Sequence, residues 1–167
     1  HESPDIYKPK LAVSLNSLEN RLVENGDRGG ASEAFHEGVC LYRKLVEESS
    51  DIYKPELAMM ITNMAENLSS IGDNEGALRS VLEGVDLYRG LTKESLDHYR
   101  QDLARALNSM ACGWLGVGNS NAALDACCEA VDLYRSLVEV SPAVYNANLA
   151  QALNTCANRL AERGELK

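Results

Sequence analysis

Five cysteines and three histidines hold most of the reactive chemistry in this chain. The histidines are His1, His36 and His98, and the cysteines are Cys40, Cys112, Cys127, Cys128 and Cys156. No histidine stands at zinc-ligand spacing from another histidine or from a cysteine, and no Cys-x-x-Cys occurs. Adjacent Cys127 and Cys128 cannot readily bridge each other. An odd number of cysteines inside apolar helical patterns reads as reduced thiols in a cytosolic protein. Gly113-Trp-Leu-Gly-Val-Gly118 has three glycines but follows no strand, so it reads as the turn at a helix end. There is no Gly-x-x-x-x-Gly-Lys phosphate loop and no nucleophile elbow. Cys127-Cys128 has no neighbouring base or cation in the sequence to activate a thiolate. Asn67-Leu-Ser69 matches a glycosylation sequon but falls mid-helix, where such a site is not used. These residues predict no catalytic centre, no metal and no cofactor.

Composition narrows the class further. At 167 residues and 45% hydrophobic, with 25% charged residues, the chain can bury a core as one domain. A net charge of −9 and a pI near 4.8 argue against nucleic acid or an anionic membrane as the main partner. No apolar stretch approaches the length of a membrane span, and no signal-peptide pattern opens the chain. Together these imply a cytoplasmic protein. The start at His1 reads as an excised fragment of a longer product.

The elements that position these residues repeat every 46 residues. Asp5-Ile-Tyr-Lys-Pro-Lys-Leu-Ala12 recurs as Asp51-Ile-Tyr-Lys-Pro-Glu-Leu-Ala58, as Asp97-His-Tyr-Arg-Gln-Asp-Leu-Ala104 and, more loosely, as Ala143-Val-Tyr-Asn-Ala-Asn-Leu-Ala150. A fixed period of this size marks a solenoid, whose units bury their apolar faces against their neighbours. Residues 1–167 therefore read as a single array with units near 5–50, 51–96 and 97–142 and a partial fourth at 143–167. In the first unit, Leu11, Leu15, Leu18 and Leu22 recur at helical spacing. Pro9 suits the first turn of that helix, and Asn25-Gly26 ends it. A second periodic run, Ala31, Ala34, Phe35, Gly38, Leu41, Tyr42 and Leu45, forms a longer helix B. Gly72, Gly118 and Gly164 occupy the equivalent turns. Ala77 and Ala123 match Ala31, and Gly84 and Ala130 match Gly38, so helix backbones approach closely there. Leu-Tyr-Arg at 41–43, 87–89 and 133–135 sets a tyrosine in the core of each helix B.

These hairpins resemble the tetratricopeptide (TPR) repeat. Leu15, Leu18, Leu22, Gly26, Ala31, Phe35 and Gly38 fill its signature positions in the first unit. Ile61, Met64, Ala65, Leu68, Gly72, Ala77, Val81 and Gly84 fill them in the second. In the third they are Leu107, Met110, Ala111, Trp114, Gly118, Ala123, Cys127 and Ala130. A helix A near 147–163 begins a fourth. The period exceeds the usual 34 or so, and the proline that closes helix B is replaced by Leu-Tyr-Arg. Elongated helices of this kind are similar to the arrays of kinesin light chains and of NLR-like signalling NTPases, as is the Leu-Ala-x-x-Leu-Asn string at 11–16, 103–108 and 149–154. The resemblance implies an all-α, right-handed superhelical α-solenoid of antiparallel helical hairpins. Glu19 departs from it, since Ala65, Ala111 and Ala157 hold the same position. A buried carboxylate is costly, so repeat one is expected to be partly open at its outer edge.

In such arrays helix A lines the concave side. Its groove residues here fall in four rungs: Val13/Met59/Arg105/Gln151, Asn16/Thr62/Asn108/Asn154, Asn20/Glu66/Cys112/Asn158 and Val23/Ser69/Leu115/Ala161. Most acidic residues lie on helix B. An amide both donates and accepts, so a ladder of asparagines can hold a peptide backbone without reading its charge. The resemblance implies a protein-interaction scaffold that binds a peptide or partner helix through Asn16, Asn20, Asn63, Arg105, Asn108, Asn154 and Asn158. Asn20, Asn63 and Arg105 also fall on three of five carboxylate-clamp positions of chaperone-binding TPR domains. Asn16 and Ser109 replace the other two basic residues, which removes most of the charge-assisted grip. The alternative reading is a sensor or autoinhibitory region of a larger NLR-like NTPase. Exposed terminal repeats would also favour end-to-end self-association.

Overall fold

A computed structural model describes residues 4–162 of the chain. Among them are seven α-helices, one 3-10 turn and no strand. Helix α1 spans Pro4–Glu24, α2 Arg28–Ser49, α3 Lys54–Ser70 and α4 Asn74–Glu94; a 3-10 turn at Ser50–Tyr53 joins α2 to α3. Then come α5 at Leu96–Gly116, α6 at Ser120–Val140 and α7 at Pro142–Glu162. The expected alternation of helix A and helix B is present, with α7 as the fourth helix A. Its predicted turn at Gly164 lies outside the described residues.

Pro9 does not open α1. The helix starts at Pro4, so Pro9 lies inside it. Pro4 takes the position where a missing N–H costs nothing, and Pro9 instead forfeits one intrahelical bond. Pro55 does sit in the first turn of α3.

The chain packs as two compact units, His1–Leu87 and Tyr88–Lys167, divided within α4. In the first, α2 packs against both α1 and α3. Ala31, Phe35, Val39, Tyr42 and Leu45 of α2 are buried with Leu57, Met60, Ile61, Met64 and Leu68 of α3. Three- and four-residue spacing puts each set on one stripe of its helix, which is why these segments are helical and face each other. Burying each of the larger side chains contributes about 1.5–3 kcal/mol. In the second unit α6 packs against α5 and α7, and Val131, Tyr134 and Leu137 form a core with Ala104 and Ala152. Tyr42, Tyr88 and Tyr134 are all buried, as their spacing predicts.

Leu11 and Leu18 are 48% and 47% exposed, although the periodicity places them in the core. Their register equivalents Leu57 and Met64, and again Leu103 and Met110, are buried. Among the described residues no helix precedes α1, so its two leucines lack the neighbour that covers the others.

The three described hairpin turns share one construction. Gly26, Gly72 and Gly118 have φ of 79°, 87° and 79°, the left-handed region that side chains resist. The next amide bonds back to the fifth residue before it: Asp27 to Leu22 at 2.8 Å, Asp73 to Leu68 at 3.0 Å, Asn119 to Trp114 at 2.8 Å. This is the Schellman arrangement. The same Asp27, Asp73 and Asn119 then cap the following helix, accepting from Gly30, Gly76 and Ala122 at 2.9, 2.9 and 3.1 Å. One residue thus ends one helix and starts the next.

Candidate functional site

The amides singled out above sit on helices A, and the packing treats them differently. In the first unit, Asn16 is half-buried and its Oδ1 is buried without a hydrogen-bond partner. Asn20, one turn on, is exposed and donates through Nδ2 to the Asn16 carbonyl at 2.8 Å. Thr62, on the Asn16 rung, leaves the groove altogether. It is fully buried and its hydroxyl donates to the Ala58 carbonyl at 2.8 Å.

Asn20 and Asn63 meet at one cleft of about 200 Å³, lined also by Arg28, Phe35, Glu66 and Asn67. Phe35 and Val23 supply apolar walls, and the remaining side chains mix amides with one carboxylate and one guanidinium. Asn67, which periodicity did not select, is only 2% exposed. Its Nδ2 donates to the Arg28 carbonyl at 3.3 Å, while its Oδ1 is buried with no partner. That burial also puts the Asn67 sequon out of reach of glycosylation.

Repeat one is open at Leu11 and Leu18, as expected, but Glu19 itself is not at that open edge. It is fully buried, and neither carboxyl oxygen has a hydrogen-bond partner. Burial pushes its pKa up to about 8, an effect that the nearby Asn63 amide partly offsets. Below that pKa the buried species is the neutral acid, not the charged carboxylate whose burial is costly. Burial is also the first cause of the raised pKa of Tyr42, followed by the charges of Glu56 and Glu19.

The second unit holds Arg105, Asn108, Asn154 and Asn158. Arg105 is half-buried and engaged with core phenols. Burial and then Asp102 hold the Tyr88 pKa well above its ordinary range, against which Arg105 acts through its charge and a hydrogen bond. Arg105 likewise opposes the rise that burial causes in Asp102. A guanidinium committed in this way is a positioning group for the core, which weakens the clamp reading. Asn108, at the register position of Asn16, also has a buried, unpartnered Oδ1. Asn154 and Asn158 on α7 are exposed.

His36 bonds the Ser32 carbonyl at 2.8 Å, and His98 stacks edge-on against Tyr99 with ring centres 4.8 Å apart. Among the described residues no group of three or more His, Cys, Asp or Glu side chains is placed to hold a metal ion. No helix there is long and apolar enough to cross a membrane.

The architecture is that of an all-α helical repeat protein. A solved structure with this fold is BtubC (BKLC) from P. vanneervenii, which superposes with a TM-score of 0.76 at 14% sequence identity. The match covers 99% of this chain and 59% of BtubC, so this chain spans little more than half of that one. At that identity the likeness concerns the fold alone. No family model matches the sequence, and no curated protein matches it.

Proposed function

We propose that this chain is a protein-interaction module that holds an extended peptide against the amide-bearing faces of its A helices. The observation that carries the reading is the cleft where the exposed Asn20 amide meets Asn63 beside the apolar side chains of Phe35 and Val23. The cleft shared by Asn20, Asn63 and Asn67 offers an adjacent amide donor for the peptide carbonyl and an apolar wall at Phe35 for a side chain. In the second unit Asn108, Asn154 and Asn158 supply the same chemistry.

The test is selection of linear binders from a random peptide library on the intact chain, followed by titration with variants. Asn20→Ala, and Asn108→Ala combined with Asn154→Ala, keep the fold by circular dichroism. Each is expected to weaken the selected peptides roughly tenfold, the scale of one or two hydrogen bonds. Unchanged affinity in both variants would remove the amide faces from consideration.

Self-association is a second reading, favoured by the exposed Leu11 and Leu18 on α1. A second copy of the chain would cover them. Light scattering over a concentration series checks this, and a strict monomer at high concentration counts against it.

A further inference from the structure

Cys128 on α6 and Cys156 on α7 bring their sulfurs to 3.6 Å, with one thiol hydrogen-bonded to the other. Cys128 is exposed and Cys156 is half-buried. Both stand in the wall of a cleft of about 390 Å³, with Val131, Leu153 and Leu160 as apolar lining and Asp132 and Arg135 at the polar side. Cys40 lies on α2 and Cys112 on α5, and Cys127 is buried.

We propose that Cys128 and Cys156 form a reversible thiol–disulfide site whose oxidant is a low-molecular-weight disulfide such as oxidised glutathione. The cleft gives a reagent of that size an approach to the exposed Cys128. The Cys128 thiol loses its proton to water, and its thiolate attacks one sulfur of the reagent. The reagent's S–S bond breaks, and its other half leaves as a thiolate that takes up a proton. A mixed disulfide remains on Cys128. Cys156 then loses its proton to water and attacks the Cys128 sulfur, expelling the second half of the reagent as a thiol. Two protein thiols have become one disulfide, and one small disulfide has become two thiols.

The roles follow from exposure. Burial and the adjoining Cys128 push the Cys156 pKa up to about 11, while Arg135 draws it down. Cys156 is therefore the slow starter and the resolving thiol. Closing the bond requires the sulfurs to approach from 3.6 Å to about 2.0 Å, a movement within the reach of side-chain rotation. The bridge would span 28 residues and tie α7 to α6, restricting the unfolded chain. Since α7 also carries Asn154 and Asn158, its anchoring bears on the proposed binding face.

The experiment treats the intact chain with oxidised glutathione, alkylates the remaining thiols after denaturation, and measures mass. The expected product has lost two hydrogens, carries alkyl groups on three cysteines and yields a linked peptide joining the two helices. Its thermal midpoint rises, and dithiothreitol returns it. Cys127→Ser retains the bridge, whereas Cys156→Ser stops at a glutathione adduct on Cys128. Five alkylatable thiols in the treated wild type would overturn the proposal. So would a bridge that disappears in Cys127→Ser, or one that joins two copies of the chain.

Discussion

Arg43 on α2 donates through Nη2 to both carboxylate oxygens of Glu83 on α4, at 2.8 and 2.7 Å. Arg89 and Glu129 repeat the contact between α4 and α6 at 2.6 Å, again forty residues apart. The Leu-Tyr-Arg motif thus serves two purposes at adjacent positions: its tyrosine enters the core and its arginine reaches the next helix B. These pairs are 42–49% exposed, and exposed ion pairs contribute only about 0–1 kcal/mol. A double-mutant cycle of Arg43→Ala and Glu83→Ala is expected to give a coupling of about 0.5 kcal/mol that fades with salt. Urea unfolding measures it, and a coupling above about 2 kcal/mol would indicate a desolvated pair instead.

Glu19 makes stability depend on pH. Its ordinary pKa of 4.5 applies in the unfolded chain, against about 8 in the fold. Between those values the folded state keeps a proton that the unfolded state has released, so stability falls as pH rises. The slope approaches about 1.4 kcal/mol per pH unit, and the loss is complete above the folded pKa. Relative to Glu19→Gln, the wild type is expected to lose stability steadily from about pH 5 to pH 8, in line with that linkage. A difference independent of pH would mean that the carboxyl titrates normally. Glu19→Ala, which restores the residue found at positions 65 and 111, is expected to stabilise the fold at pH 8.

Gly38 and Gly84 occupy the same register position but differ in what a Cβ would meet. At Gly38 the contacts are the Met60 Cε at 2.7 Å and Sδ at 3.2 Å, the end of a flexible side chain that can repack. At Gly84 they are the Thr62 Oγ1 at 2.6 Å and the Ala58 carbonyl at 3.6 Å. Turning Thr62 aside breaks its own bond to that carbonyl. Gly84→Ala is expected to destabilise by about 1–3 kcal/mol. Gly38→Ala stays within about 1 kcal/mol of wild type, aided by the better helix propensity of alanine. Thermal unfolding of the two variants decides it.

Leu18 and Met64 give a paired test of the covered and uncovered positions. Leu18→Gln is expected to change stability by less than about 0.5 kcal/mol. Met64→Gln, which puts an amide into the core, costs about 2–4 kcal/mol. Equal costs would show that Leu18 is covered in solution, and a concentration-dependent midpoint for the wild type would identify a second copy as the cover.

The repeat, the turns and the tyrosine core were legible because each rests on residues that recur: Gly26, Gly72 and Gly118, and Tyr42, Tyr88 and Tyr134. Periodicity states where a side chain points but not whether a neighbour stands there, which is why Leu18 was misplaced. It also assigns residue type without protonation state, and Glu19 was misread for that reason. Asn67 carried no signal beyond its sequon, since its burial and its bond to the Arg28 carbonyl depend on how α3 packs on α2. The Cys128–Cys156 approach joins different helices at non-equivalent positions, which a search for repeated or closely spaced cysteines passes over.

Each turn settles its own backbone within a few residues: the Asp73 amide reaches back to Leu68 and its carboxylate forward to Gly76. A hairpin of this kind needs nothing from downstream to close its bend. Its two arms can zip while the ribosome is still delivering the next pair, and contacts so local in the chain form quickly. Synthesis and the closing of successive bends then run in the same direction.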